Sequence, residues 1–178
     1  MLVRLHNADI TLVDSMLTIV KISGVYTHRF LHSPDTLLPN VSIADTGKLV
    51  RAVIEHGKKY FESTIAFYSQ SLSESEKLTE LGNVLNIPTH YQQITPEEFQ
   101  QHLMDSGMSS ELALDFTEQL LIFEDFGNVY SQQDFIQATD IPGVSLKTWR
   151  EFILETDLMA AMQRATNGGF GDILHSSA

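Results

Sequence analysis

The residue pattern predicts an α/β fold with a mostly helical lobe built onto its back. Two observations carry that. Up to Ile94, short runs rich in β-branched residues alternate with amphipathic helical patterns, and three helical patterns then follow with no strand between them. Alternation points to a sheet with crossover helices, and a closing run of helices points to a second layer. The composition agrees: 43% hydrophobic and 19% charged residues describe a globular chain. Its 178 residues suit one domain, on the usual scale of ~100–200 residues each.

Residues 10–13 and 16–22 read as strands, although a buried helix leaves the same short apolar signature. Residues 24–40 carry Gly24, Pro34, Asp35, Pro39 and Asn40 and read as irregular around one short strand at 25–28. Residues 41–44 are the next strand. Asp45 is then placed to cap a helix by accepting from its free first-turn amides, and with Thr46 it is read as a cap rather than a ligand contact. Leu49, Val50, Val53 and Ile54 recur at helical spacing and give that helix one buried face. Gly57 is placed to end it in the left-handed region, with His56, Lys58 and Lys59 at its negative end.

Residues 63–68 form a strand. Ser73 and Glu76 have the spacing of a capping box, opening a helix through Leu85. Residues 89–94 form a strand. Thr95 and Glu98 make a second box, with Pro96 at the first helical position and an end near Gly107. Ser109 caps a longer helix carrying Leu112, Phe116, Leu120 and Phe123 along one stripe, stopped by Gly127. The last helix starts at Ser145, with Leu146, Trp149, Phe152 and Ile153 as its apolar face. Residues 158–178 read as a flexible tail. No internal repeat recurs at the ~20–50-residue period of a solenoid.

Twenty-three acidic residues stand against eleven basic ones, a formal net charge of −12. That disfavours direct nucleic-acid binding, because the phosphate backbone is itself anionic. With no cysteine there is no disulfide framework, thiolate metal site or cysteine nucleophile. No run reaches the ~18 apolar residues of a membrane span. Asp9 and Asp14 interrupt the N-terminal apolar stretch, so it does not read as a signal peptide. These features predict a soluble protein of the cytoplasm or nucleus, with no membrane partner.

Motifs for chemistry are sparse. There is no P-loop, and the glycines of residues 167–171 have no strand before them, so they do not form a dinucleotide fingerprint. None of Tyr26, Tyr60, Tyr68, Tyr91 and Tyr130 has the lysine four positions on that would lower its pKa in a short-chain reductase. His28 and His32 are four apart, but Pro34 argues against a helix there and no third metal ligand stands out, so they read as solvated histidines. No G-x-S-x-G nucleophile elbow occurs. Glu97-Glu98 and Glu124-Asp125 read as helix-start charges and a solvated face rather than a paired acid and base. Catalytic and metal residues are therefore assigned to none, and cofactor contacts are left unassigned. The back half is rich in Phe116, Leu120, Phe123, Phe126, Tyr130, Phe135, Trp149 and Phe152. These form a helical core or, in the sharper reading, leave Phe116, Phe123, Phe126, Tyr130 and Trp149 as a partner surface.

An ordered series of segments resembles the NmrA-like family. It runs through Tyr26-Thr-His-Arg-Phe30, Ser33-Pro-Asp-Thr36, Pro39 and Ile43-Ala-Asp-Thr-Gly-Lys48-Leu-Val50. It continues through Ser69 to Glu76, Ile87-Pro-Thr-His-Tyr91, Ile94-Thr-Pro-Glu-Glu-Phe99 and Met108-Ser-Ser-Glu-Leu-Ala113. Phe126-Gly127 with Tyr130 and Leu146-Lys-Thr-Trp-Arg-Glu-Phe152 complete it. The likeness covers about residues 24–157. It implies a partial domain over 1–157, in which residues 1–23 match nothing specific. It implies an atypical short-chain dehydrogenase/reductase architecture: here the C-terminal part of a Rossmann-like parallel sheet, plus a smaller mostly helical α/β lobe. NAD or NADP is the family's cofactor. Its glycine-rich phosphate loop and its Tyr or His with Lys lie outside the matched segments, so this chain alone is expected not to bind the dinucleotide. Some members are regulators that sense the dinucleotide and bind proteins, including a zinc-finger transcription factor of nitrogen metabolism; others reduce small molecules. The resemblance thus implies a non-catalytic, NAD(P)-linked regulatory or protein-interaction module, truncated here, with a transcription regulator as the protein partner. The alternative is the substrate lobe of an NAD(P)-dependent reductase whose cofactor-binding half lies elsewhere.

Overall fold

The computed structural model describes residues 4–7, 19–131, 134–160 and 162. In chain order the strands are β1 (Arg4–Asn7), β2 (Ile19–Ile22), β3 (Val25–Phe30), β4 (Leu38–Asn40), β5 (Thr64–Phe67), β6 (Gln70–Leu72), β7 (Thr89–Gln93) and β8 (Ile136–Gln137). The helices are α1 (Thr46–His56), α2 (Glu74–Leu85), α3 (Pro96–Asp105), α4 (Ser110–Phe126) and α5 (Trp149–Glu155).

Among the described residues the strands form three small sheets. The first is parallel throughout, in the order β1-β5-β8. Its middle strand buries Ile65, Ala66 and Phe67 in succession, the unbroken apolar run of a strand covered on both faces. Helix α1 supplies cover through Leu49, Ala52 and Val53, in one cluster with Val41, Tyr60, Ala138 and Ile141. In the second sheet β3 pairs antiparallel with β2 and parallel with β7. The β2–β3 hairpin turns through Ser23 and Gly24, both at positive φ (49° and 90°), which matches the twist of the flanking strands. Helix α2 covers this sheet, and Leu78 and Leu81 pack with Ile19, Trp149, Ile153, Leu158 and Met162. Strands β4 and β6 form an antiparallel pair. A third cluster joins Phe30, Leu31 and Leu38 to Ile94, Phe99 and Leu103 of the α3 region and Ala113 of α4.

The predicted α/β class holds, and so do most of the helix starts. Both predicted capping boxes form: Ser73 with Glu76 (2.9 and 3.1 Å) and Thr95 with Glu98 (3.0 and 3.2 Å). Ser109 Oγ accepts from the Leu112 amide at 3.3 Å. Helices α1 and α4 stop one residue before Gly57 and Gly127, both at positive φ. The strand expected at 16–22 is seen at Ile19–Ile22; residues 10–13, 16–18 and 167–171 lie outside the described residues.

Other boundaries move, for identifiable reasons. The strand expected at 41–44 lies earlier, at Leu38–Asn40, inside the segment expected to be irregular. The Ser69 amide and hydroxyl both donate to the Asn40 carbonyl (2.8 and 3.0 Å), and Val41 follows as an isolated bridge. Residues Ile43–Asp45 form a 3₁₀ turn instead, and it runs straight into α1. That puts Asp45 itself in helical geometry (φ −84°, ψ −9°), so its side chain makes no cap bond. A cap needs extended backbone to swing its oxygen back. The Asp45 carboxylate, 1% exposed, instead accepts from the Lys147 amide at 2.5 Å and pairs with Lys48 Nζ at 2.7 Å. The helix expected from Ser145 starts at Trp149, because Asp45 holds Lys147 out of it and Thr148 with Glu151 makes the box. On α1, Val50 and Ile54 are exposed and Ala52 takes their place in the buried face. Leu158 and Met162, assigned to a flexible tail, are buried beside Trp149.

Helix α2 meets β7 at Gly82. A Cβ there would lie 2.7 Å from Thr89 Oγ1 and 3.0 Å from the Ile87 carbonyl. Gly82→Ala should therefore lower stability by about 1–3 kcal/mol through overpacking. Urea unfolding followed by circular dichroism measures it; an unchanged midpoint would show that Thr89 yields freely.

Candidate functional site

A cleft of about 510 Å³ opens at the carboxyl end of β5, the end where open α/β sheets bind ligands. One wall is the strap 33–37, which brings Ser33, Asp35, Thr36 and Leu37. The opposite wall is the end of α4, with Glu124, Gly127, Asn128 and Ser131. Tyr68 and Ser71 line it between β5 and β6.

The two walls are tied by Glu124. Its Oε2 accepts from the Ser33 amide at 3.1 Å and from the Thr36 hydroxyl, which also lies 2.8 Å from Ser33 Oγ. Partial burial pushes the Glu124 pKa up, but the Thr36 and Ser33 hydrogen bonds outweigh that and hold it below the ordinary carboxylate range. Glu124 is thus an acceptor at neutral pH. Asn128 extends the same frame, donating to Ser71 Oγ at 2.8 Å and accepting from the Tyr130 amide at 3.0 Å.

Behind the cleft lies a buried polar network. Glu74 and Lys77 open α2, one turn apart, and pair at 2.5 Å. Lys77 also donates to Asn40 Oδ1 at 3.1 Å, and its ammonium lies 6.0 Å from the Trp149 ring centroid. The other Glu74 oxygen lies 3.5 Å from His28 Nε2. Burial pushes the Glu74 pKa up, but the Lys77 charge and His28 more than reverse it, to about 2. His28, Phe30 and His32 occupy alternate positions, so their rings share one face of the chain. Phe30 lies 5.4 Å from the His28 ring and 5.2 Å from the His32 ring. His32 Nε2 lies 2.8 Å from the Leu120 carbonyl of α4, and Tyr91 Oη donates to the His32 carbonyl at 2.7 Å. Burial raises the Tyr91 pKa, so the phenol stays a donor.

The expected partner residues do not form one surface. Phe116 and Phe123 are half-buried against the third cluster, and Phe123 packs on Tyr130 at 6.1 Å. Phe126 is 76% exposed. Trp149 is 2% exposed and belongs to the core, because its indole N–H donates to the Lys77 carbonyl at 2.9 Å and fixes the ring inward. His28 and His32, expected to be solvated, are 1% and 0% exposed. Glu124 belongs to the cleft rather than a solvated face. The buried network was not anticipated; its one visible sign was the alternation His28-x-Phe30-x-His32, which brings three rings together although His32 lies two residues beyond the end of β3.

Among the described residues no cluster of three metal-ligating side chains occurs. The cleft-lining residues offer hydroxyls, an amide and two carboxylates but no cation, so the cleft suits hydrogen-bond donors better than a pyrophosphate. No helix among the described residues is long and apolar enough to cross a membrane.

No protein-family model matches the sequence, and no curated protein matches it. Solved structures do match in shape. The NADPH-dependent quinone oxidoreductase QOR2 of Escherichia coli superposes with a TM-score of 0.58 at 15% identity, over 74% of this chain and 46% of that one. Triphenylmethane reductase of Citrobacter sp., solved with NADP(H), gives 0.57 at 16% identity, over 75% and 44%. NmrA, a negative transcriptional regulator, gives 0.57 at 14% identity, over 84% and 49%. The chain has the fold of NmrA and these reductases. It spans less than half the length of each, and so presents part of a Rossmann-like NmrA fold with parallel strand pairs and short sheets.

The Glu74 shift gives a signed pH dependence. Its folded-state pKa lies below the ordinary 4.5. Its stabilisation, on the order of 3 kcal/mol, is therefore complete above that value and lost as pH falls toward 2. Glu74→Gln should cost about 3–5 kcal/mol at pH 7 by leaving Lys77 buried and unpaired. It should also flatten the acid limb below pH 4.5. Urea midpoints across pH test both; an acid limb unchanged in the variant would show that other carboxylates set it.

Proposed function

We propose that the chain is an NmrA-like, NAD(P)-linked regulatory or protein-interaction module, whose cleft recognises a ligand or protein partner rather than carrying out hydride chemistry. The observation that supports this reading is the ionised Glu124 at the cleft wall. Reduction of a carbonyl or quinone asks for a proton donor whose pKa lies near the working pH. Glu124 is held the other way, below the ordinary carboxylate range, as an acceptor for Ser33 and Thr36. The remaining polar groups are suited to orientation and recognition. NmrA has been solved with NAD and with NADP, which favours a dinucleotide at the level of the family. A transcription regulator is the partner the family likeness favours, in the cytoplasm or nucleus. The reductases among the structural neighbours favour a second reading, the substrate lobe of an NAD(P)-dependent reductase.

NADPH oxidation with quinones and triphenylmethane dyes as acceptors separates the two. We expect no turnover by the chain, and a specific protein partner in pull-downs that is lost from Glu124→Ala while the circular dichroism spectrum stays unchanged. Turnover would replace this reading with the reductase one. A partner captured equally by Glu124→Ala would move recognition away from the cleft.

A further inference from the structure

We propose that His32 is a pH-responsive latch on the cleft wall: neutral, it ties the strap 33–37 to α4, and protonated, it releases the strap. This deepens the cleft reading above and rests on it for its functional meaning, but its physical basis is independent. The chain leaves β3 at Phe30, buries Leu31 and His32, and emerges at Ser33 as the wall of the cleft. His32 is the last fully buried side chain before that wall.

Its hydrogen bonding is one-sided. Nε2 faces the Leu120 carbonyl at 2.8 Å and donates to it, which leaves Nδ1 as a bare lone pair in the neutral ring. Nδ1 is buried and has no partner. A proton added there creates a donor without an acceptor and a charge without solvent. The charged and titratable groups around the ring come from three elements. They are Glu74 and Lys77 on α2, Glu124 on α4, and Tyr91 on β7 through its bond to the His32 carbonyl. The two carboxylates favour the proton and Lys77 opposes it. Burial outweighs them, and the His32 pKa lies below the ordinary 6.5. Moving His32 into water relieves the cost, and the segment that must move with it is the strap. Its remaining ties to α4 are the two hydrogen bonds to Glu124.

The sign follows from linkage. The latched state binds the proton less well than the released state, so latching is strongest above pH 6.5 and weakens as pH falls. For a released ring titrating at the ordinary 6.5, opening rises as pH falls from 7.5 to 5.5, by at most about tenfold. Glu74 and Glu124 are both held below the carboxylate range and stay ionised across that window.

Hydrogen–deuterium exchange on the 178-residue chain, corrected for the intrinsic pH dependence of amide exchange, tests this without any ligand. Protection over residues 31–37 should fall, by up to about tenfold, from pH 7.5 to 5.5, while β5 keeps its protection. His32→Gln keeps a donor but cannot titrate, and should abolish the response. His28→Gln should preserve it. Three results would overturn the latch: no change over 31–37 in the wild type, an equal fall in β5, or a response removed by His28→Gln. Failure to find a ligand for the cleft would leave this result untouched, and failure of the latch would leave the cleft reading standing.

Discussion

The ion pair of Glu74 and Lys77 constrains more of this fold than any other contact. Two charges removed from water cost several kcal/mol each unless their partners are close and their remaining hydrogen-bonding positions are filled. The surrounding elements are arranged to fill them. Ser73 must cap α2 at that residue, so that Glu74 and Lys77 fall one turn apart on the inner face. Strand β4 must deliver Asn40 to the ammonium, and Asn40 is itself fixed through its amide to the Leu38 carbonyl at 2.6 Å. Strand β3 must present His28 to the second carboxylate oxygen. Helix α5 then docks by its first residue: the Trp149 indole takes the Lys77 carbonyl, and the Trp149 amide takes Gln70 at 2.7 Å. One pair thus aligns four elements that are distant in sequence.

The cleft inherits this order. β3 is held by His28 at one end, and the chain that continues from it carries Phe30 and His32 on the same face before it reaches Ser33. Phe30 is wedged edge-on against Phe99 of α3 at 5.3 Å, so the strand and the helical lobe move together. The strap enters the solvent from a fixed point and is caught on the far side by Glu124. The wall of the cleft is therefore built from backbone anchored twice, once in the core and once at the end of α4. Such anchoring preorganises the cleft.

What was legible in the sequence was local. Capping boxes are contained within four residues, and those at Ser73 and Thr95 form as their spacing implies. The apolar strand at 64–67 was legible for the same reason; along α4, Phe116, Leu120 and Phe123 pack inward as their spacing implies, whereas Leu112 is exposed and Ala113 takes the buried position. What was not legible depended on partners far along the chain. Asp45 has every local mark of a cap, yet it serves Lys147, and that single long-range bond both empties the cap and delays α5 by four residues. The spacing of Trp149 fits a helical core or a partner surface; its bonds to Lys77 and Gln70 fix it in the core. His28 and His32 looked solvated because histidine usually is. Only the tertiary placement of Glu74, Lys77 and Leu120 explains their burial. The cleft itself joins a strap, a strand end and a helix end from three parts of the chain, and no spacing encodes that.

The fold is shared with a transcriptional regulator and with several reductases at 13–16% identity, so architecture alone leaves function open. On the reading proposed above, the acid facing this cleft serves as an acceptor, because the Thr36 and Ser33 bonds hold its pKa below the ordinary carboxylate range. Protonating Glu124 would weaken the Ser33 and Thr36 bonds that secure the wall, because a neutral carboxyl accepts less strongly than a carboxylate. His32 sits behind the wall rather than in the cleft, buried against the Leu120 carbonyl. On the same reading, the cleft surface carries the recognition and the buried support behind it carries the response to protons.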